Sequence, residues 1–173
     1  MDNQPFFVLI TVCVMTHLIR TVYEILKHKK ILKSNRFTFI IIFTNMVILW
    51  SSWFGLNSID ISKIILPDII RYLGVFLILS GILLFLTALF TIKTLEDYNG
   101  DLITKGIYSK IRHPMFLGFI FWCTGGPLYY GGRFSFILSI LFIGNILFWR
   151  YLEEHELEIR FLEYKNYKIR TYF

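Results

Sequence analysis

The sequence predicts an all-α, polytopic membrane protein with about five transmembrane helices and a cytoplasmic amphipathic C-terminal helix. Three observations predict it. Hydrophobic residues make up 55% of the 173 residues, more than a soluble monomer of this length can cover with polar surface. They fall in blocks of about 20, the length that crosses a bilayer as a helix. The charges gather between the blocks, and the net charge of +6 collects beside them, where lipid headgroups lie.

The first span is predicted from Pro5 to Leu26, the second from Phe37 to Leu56 and the third, the most apolar, from Ile69 to Ile92. The fourth runs from Pro114 to Tyr130 and the fifth from Phe134 to Tyr151. Gly131, Gly132 and Arg133 are all that joins the last two, so these must form a tight antiparallel hairpin. Gly125-Gly126-Pro127 near the end of the fourth span predicts a kink or an early stop, because proline removes a backbone donor. From residue 152 to 173 the tail is too charged to span. Leu157, Phe161 and Tyr164 recur at helical spacing, which predicts an amphipathic helix with Glu156 and Arg160 paired on its wet side. The whole of 1–173 reads as one integral-membrane domain. The start Met-Asp-Asn-Gln-Pro lacks a basic region, so the first block is expected to be a retained span and not a cleaved signal.

Lysine and arginine placement predicts orientation. Lys27, Lys29, Lys30, Lys33 and Arg36 follow the first span, Lys93, Lys105, Lys110 and Arg112 precede the fourth, and Arg160, Lys165, Lys168 and Arg170 lie in the tail. The opposite side holds Lys63, Arg71 and Arg133 against Asp2, Asp60 and Asp68. The N-terminus is therefore expected outside and the C-terminus in the cytoplasm. No nucleic-acid motif is present. Cys13 and Cys123 lie in apolar blocks without a CxxC partner, which gives neither a disulfide framework nor a metal site. The sequence says nothing of oligomeric state.

Two polar clusters carry the candidate chemistry. Gly106-Ile107-Tyr108-Ser109-Lys110-Ile111-Arg112-His113-Pro114-Met115-Phe116-Leu117-Gly118 opens the fourth span. Pro114 suits the first helical turn, whose free N–H groups face a ligand's polar atoms, and Gly118 permits close approach. Arg150-Tyr151-Leu152-Glu153-Glu154 closes the fifth span, and the hairpin returns it to the first cluster. Each has a plainer reading. Arg112 and His113 also suit an interfacial helix start. Glu153 and Glu154 equally begin a solvated face paired with Arg150. His17, Arg20 and Glu24 share one face of the first span and read either as an internal ion pair or as a site. His28 reads as solvated, and His155 has no second histidine at ligand spacing.

The first cluster resembles the Gly-x-Tyr-x-x-x-Arg-His-Pro-x-Tyr-x-Gly signature of the isoprenylcysteine carboxyl methyltransferase family. Arg150, Glu153, Glu154, Leu157, Phe161, Tyr164 and Tyr167 resemble its C-terminal Glu-Glu mark and aromatic tail. The resemblance covers Leu102 to Tyr172, with Phe116 in place of the usual Tyr and Ile107 in place of a common Pro. The chain is also shorter than the eukaryotic enzymes, as in compact prokaryotic relatives of the plasma membrane. The resemblance implies methyl transfer from S-adenosyl-L-methionine to a lipophilic, isoprenoid or carboxylate-bearing acceptor drawn from the bilayer. It implies that Tyr108, His113, Pro114, Met115 and Gly118 cradle the cofactor and that Leu117 and Leu157 flank its adenine. Glu153 and Glu154 would take its ribose hydroxyls or ammonium, and Arg112 or Arg150, the catalytic candidates, would pair with a carboxylate of cofactor or substrate. An integral-membrane reductase using NADPH and a non-enzymatic membrane scaffold are the alternatives.

The basic loops generate a topological prediction. A reporter fused after Phe173 should read as cytoplasmic and one before Met1 as external, and both termini on one side would refute five crossings.

Overall fold

The computed structural model describes residues 3–32, 35–92 and 101–173. Lys33, Lys93 and Asp2, counted above in the charge pattern, lie outside the described residues. Five long helices pack antiparallel: α1 (Gln4–His28), α2 (Arg36–Ser58), α3 (Asp68–Ile92), α4 (Pro114–Tyr130) and α5 (Arg133–Arg160). A 3-10 turn (Gly106–Ser109) precedes α4, and a short α6 (Tyr164–Arg170) follows α5. α1, α2, α3 and α5 are each long and apolar enough to cross a membrane. α4 has 17 residues, short for a full crossing. The chain is an all-helical integral membrane protein, with α4 as a shorter fifth member of the bundle.

Local chemistry fixes the ends. Asn35 caps α2 by accepting from the Thr38 N–H at 2.9 Å. Pro114 opens α4, and Gly131 ends it in the left-handed region at φ 69°, where its N–H donates to Pro127 O at 2.7 Å. Asp60, buried between helices, caps α5: its Oδ2 accepts from both N–H and Oγ of Ser135 at 2.8 Å. The α2–α3 connection is tied to this turn by Ile64 N–H to Gly131 O and Arg133 N–H to Ser62 O.

α3 is bound to the bundle by its smallest residues. Its buried positions are Gly74, Gly81 and Ala88, seven apart, while Ile69, Phe76, Leu83 and Phe90 face outward. α4 carries Gly118 and Gly125, also seven apart. The antiparallel arrangement sets Gly74 against Gly125 and Gly81 against Gly118. A Cβ on Gly81 would lie 2.7 Å from Gly118 O, and one on Gly125 would lie 2.7 Å from Gly74 O. The two backbones thus touch, which is how membrane helices gain packing when lipid tails are as apolar as their side chains.

Two expectations are corrected. α4 does not stop at Gly125-Gly126-Pro127 but continues to Tyr130. The glycines are occupied in packing against Gly74 of α3 and Asn57 of α2, and Pro127 costs the helix the one bond that an N–H there would make to the Cys123 carbonyl. The tail is not one helix from residue 152. α5 runs on as a single helix to Arg160, Phe161 adopts extended backbone, and α6 begins at Tyr164. The bend turns the Tyr164 side chain inward to full burial.

The core lies where α1, α2, α4 and α5 meet, with Trp53, Leu56, Cys123, Ile146 and Trp149 sealed from solvent. Cys13 and Cys123 are buried free thiols.

The glycine seam predicts a contrast. Gly81→Val should destabilise the bundle by about 1–3 kcal/mol, the usual range for overpacking. Gly144 of α5 has open space around it, so Gly144→Ala should instead stabilise by roughly 0.5–1 kcal/mol through helix propensity alone. Thermal unfolding in detergent micelles reads both.

Candidate functional site

α1, α3 and α5 end, and α2 and α4 begin, at the same end of the bundle, and a cavity of about 680 Å³ opens there. Its deeper wall is apolar: Phe43, Met46, Trp50 and Phe54 of α2 face Ile82 and Phe85 of α3 and Phe119 and Trp122 of α4. Phe43 and Val47 line the cavity and are also half exposed on the bundle's flank, so the apolar arm opens sideways where lipid would lie. Among the described residues α2 packs chiefly against α1 and only lightly against α4. The near end is polar, lined by Tyr108, Arg112, His113, Glu153, Tyr164 and Tyr167, with Asp101 beside them.

The two sequence clusters meet here. Arg112 Nε donates to Glu154 Oε1 at 3.2 Å, across 42 residues of sequence. The α4–α5 hairpin brings them together, and the tail holds them. Arg112 Nη1 donates to the carbonyls of Lys168 at 3.0 Å and Thr171 at 2.6 Å. Its backbone N–H donates to Tyr172 O at 3.0 Å, and the Tyr172 N–H donates to Lys110 O at 2.8 Å. The Tyr167 hydroxyl donates to Tyr108 O at 2.6 Å. The last ten residues therefore strap the loop before α4.

The adjacent glutamates do different things. Glu154 is buried among three cations, Arg112, Lys168 Nζ at 2.9 Å and Arg150 Nε at 3.6 Å, and the His113 ring, whose Nε2 lies at 3.4 Å. It is not part of the cavity wall. Glu153, 45% exposed at its side chain, faces the cavity, with an oxygen 3.7 Å from His113 Nδ1. His113 is thus held between both carboxylates, and the buried Tyr164 hydroxyl lies 3.3 Å from Nε2. Burial alone would lower its pKa, but hydrogen bonding and charge from Glu153 and Glu154 raise it above the ordinary value. Burial pushes the Tyr167 hydroxyl up to about 12, so it remains a neutral donor. Glu154, with Glu158, raises Lys168.

The other candidates divide. Tyr108, Arg112, His113, Met115, Glu153 and Leu157 line the cavity. Pro114 is buried beneath it. Leu117 and Gly118 are not in its wall, and Gly118 meets α3. Arg150 lies behind Glu154 with its guanidinium 4.6 Å from the Phe173 ring centre. Phe116 stacks its ring at 5.7 Å on His113.

α1 supplies a polar wall that motif reasoning did not place in the site. Arg20, Glu24, Lys27 and His28 line the cavity, together with Glu156 and Arg160 of α5. Arg20 is ion-paired to Glu24. His28, expected to be solvated, has a side chain only 12% exposed; its Nδ1 lies 2.8 Å from Glu24 O and its Nε2 lies 3.2 Å from Glu156 Oε2. Glu156 therefore joins α1 to α5. The helical spacing of Arg20, Glu24 and Lys27 was the available signal. His17, on the same face, is instead buried against Phe142, its ring stacked at 3.7 Å. His155 stacks with Tyr151, and no group of metal-binding side chains occurs among the described residues.

Fold and site together define a polytopic helical membrane protein with a chamber that is charged at one membrane face and apolar within the bilayer. The chain belongs to the family described as NnrU protein, which matches residues 5–167. It is also similar to protein-S-isoprenylcysteine O-methyltransferases. The Saccharomyces cerevisiae protein is 31% identical over 80 residues, covering 43% of this chain and 34% of that protein. The Schizosaccharomyces pombe protein is 32% identical over 53 residues, covering 31% of this chain and 20% of that protein. The chain thus aligns with 34% and 20% of these relatives' lengths. No solved structure matches.

The raised His113 pKa generates a pH prediction. A folded value above the unfolded 6.5 means that the histidine's stabilisation is complete below pH 6.5 and is lost as pH rises through the folded value. Thermal stability in detergent should therefore fall over that rise, and His113→Gln should flatten the fall.

Proposed function

We propose that this protein is an S-adenosyl-L-methionine-dependent methyltransferase acting on a lipophilic, carboxylate-bearing or isoprenoid acceptor at the cytoplasmic membrane face. The observation that carries the reading is the meeting of the α4 entrance with Glu153 at the polar end of a chamber whose other end opens towards lipid. One ligand is soluble and one is membrane-borne, and this chamber offers each its own surface. The similarity to isoprenylcysteine O-methyltransferases supports the reaction class. The basic residues flanking the polar end support a cytoplasmic location for it.

The cofactor's chemistry is a sulfonium methyl group, transferred in line to a nucleophile with a neutral thioether as leaving group. The lining residues fit it. Glu153 and Asp101 suit its cationic sulfonium and ammonium, and Glu153 also accepts from ribose hydroxyls. Tyr108, Phe116 and Tyr167 offer aromatic faces, and Met115 and Leu157 offer apolar ones, to an adenine. The N–H groups at the start of α4 are donors for its polar atoms. Glu154 acts at one remove, fixing Arg112, His113 and the tail so that this wall keeps its shape. An acceptor already ionised as carboxylate or thiolate needs no general base. What the protein supplies is orientation and exclusion of water, with Tyr164 and Tyr167 as the cover.

Purified protein should bind labelled S-adenosyl-L-methionine and not NADPH. Glu153→Ala should weaken that binding by about ten- to a hundredfold, the value of one charge-assisted hydrogen bond. Unchanged affinity in the variant, or preference for NADPH, would overturn the reading.

A further inference from the structure

The segment that straps the cavity mouth carries a surface of its own. From Tyr164 to Phe173 the chain has Lys165, Lys168 and Arg170 and no aspartate or glutamate. Lys168 is held by Glu154 and Glu158. Lys165 and Arg170 are exposed and take no ion pair among the described residues, and neither does the exposed Lys110 of the strapped loop. Ile169 is 84% exposed and Tyr172 77%. Tyr164 and Tyr167 turn inward, so Lys165, Ile169 and Arg170 take the outer side of α6. Tyr172 follows, its backbone hydrogen-bonded to Lys110 and Arg112.

This surface sits at the level of the membrane interface. α5, with 28 residues, measures about 42 Å. The hydrocarbon of a bilayer is about 30 Å thick, so the last turns of α5 stand clear of the lipid tails. The extended Phe161 then turns the chain back, and Tyr164 reaches His113, the residue before α4 begins. α6 and Tyr172 therefore lie beside the point where α4 enters the bundle. Isoleucine and tyrosine exposed there, flanked by lysine and arginine without acids, are the composition of a segment that lies among headgroups.

We propose that this outer side docks on the leaflet at that end, with Ile169 and Tyr172 entering the headgroup layer and Lys110, Lys165 and Arg170 pairing with anionic lipid headgroups. The docking keeps the cavity mouth assembled. Tyr167 holds Tyr108, and Arg112 is bonded to the carbonyls of Lys168 and Thr171, so fixing 164–172 to the membrane fixes the polar wall of the cavity. Linkage makes the effect reciprocal: a ligand against Tyr108 and Tyr167 and anionic lipid beside α6 strengthen each other's binding. The surface and its lipid stand without the methyltransferase reading, and only the identity of that ligand rests on it.

The test uses the whole chain with Ile169→Cys carrying an environment-sensitive nitrobenzoxadiazole label. Cys13 and Cys123 are fully buried, so the label goes to position 169. The protein is placed in nanodiscs of phosphatidylcholine with and without phosphatidylglycerol. With phosphatidylglycerol the emission should move to the blue and be quenched by lipids spin-labelled near the headgroup. Hydrogen exchange at the Arg112 and Tyr172 amides, which the strap protects, should slow. Lys165→Gln and Arg170→Gln should each reverse roughly fivefold of that protection, the attraction of one basic residue for an anionic surface. Labelled S-adenosyl-L-methionine should bind more tightly in the discs that hold phosphatidylglycerol. Water-like emission in both discs, the same emission with and without anionic lipid, exchange indifferent to the lipid, or a bound S-adenosyl-L-methionine whose affinity ignores it would overturn the proposal. Docking and protection in a protein that binds no S-adenosyl-L-methionine would uphold it and refute the methyltransferase reading.

Discussion

The charged end of the bundle depends on one carboxylate. Glu154 is buried, and a buried carboxylate is tolerable only when its oxygens are fully matched. Here one oxygen faces Arg112, Arg150 and His113 and the other faces Lys168. These four come from the loop before α4, from α5 and from α6, so matching the charge is the same event as assembling the three elements. The direct Coulomb gain is largely spent on desolvation, and what survives is specificity of arrangement. Glu153, next in the chain, is turned about 100° around the helix axis, so it lines the cavity while Glu154 does not, and the two carboxylates flank the His113 ring.

That arrangement lets one chamber serve two solvents. Its charged mouth is built from side chains that an aqueous ligand can satisfy, and its inner arm from aromatic and aliphatic groups that cannot compete for hydrogen bonds. In the proposed function, the opening on the flank of α2 is the way by which an apolar tail would reach the mouth from the bilayer.

Much of this was legible in the sequence because it depends on period and length. Apolar blocks of spanning length gave the five helices, and two glycines between the last two blocks left no topology but a hairpin. The meeting of Arg112 with Glu154 followed from that hairpin alone. Other features were hidden for definite reasons. The strap from Lys168 to Tyr172 works through backbone carbonyls and N–H groups, which every residue carries, so no side-chain pattern announces it. His28 meets Glu156 across 128 positions, between helices whose rotation no one-dimensional pattern supplies. Gly118 was ambiguous in kind: glycine admits a ligand or a neighbouring helix equally well, and the partner that decides it, Gly81, lies in a different span. The seven-residue spacing shared by Gly74 and Gly81 and by Gly118 and Gly125 was present in the sequence and is informative only when the two spans are compared in antiparallel register.

That seam also divides the molecule mechanically. Side-chain interfaces accommodate strain by changing rotamers, but glycines facing backbone have none to change. α3 and α4 therefore behave as a single stiff beam, and the loop before α4 inherits a fixed starting point. The other bank is built differently: among the described residues α2 packs chiefly against α1, through side chains that do have rotamers to change. Sequence drift should follow the same partition: the outward face of α3 is free to exchange one greasy residue for another, while its inner edge of Gly74, Gly81 and Ala88 admits nothing larger than a methyl group.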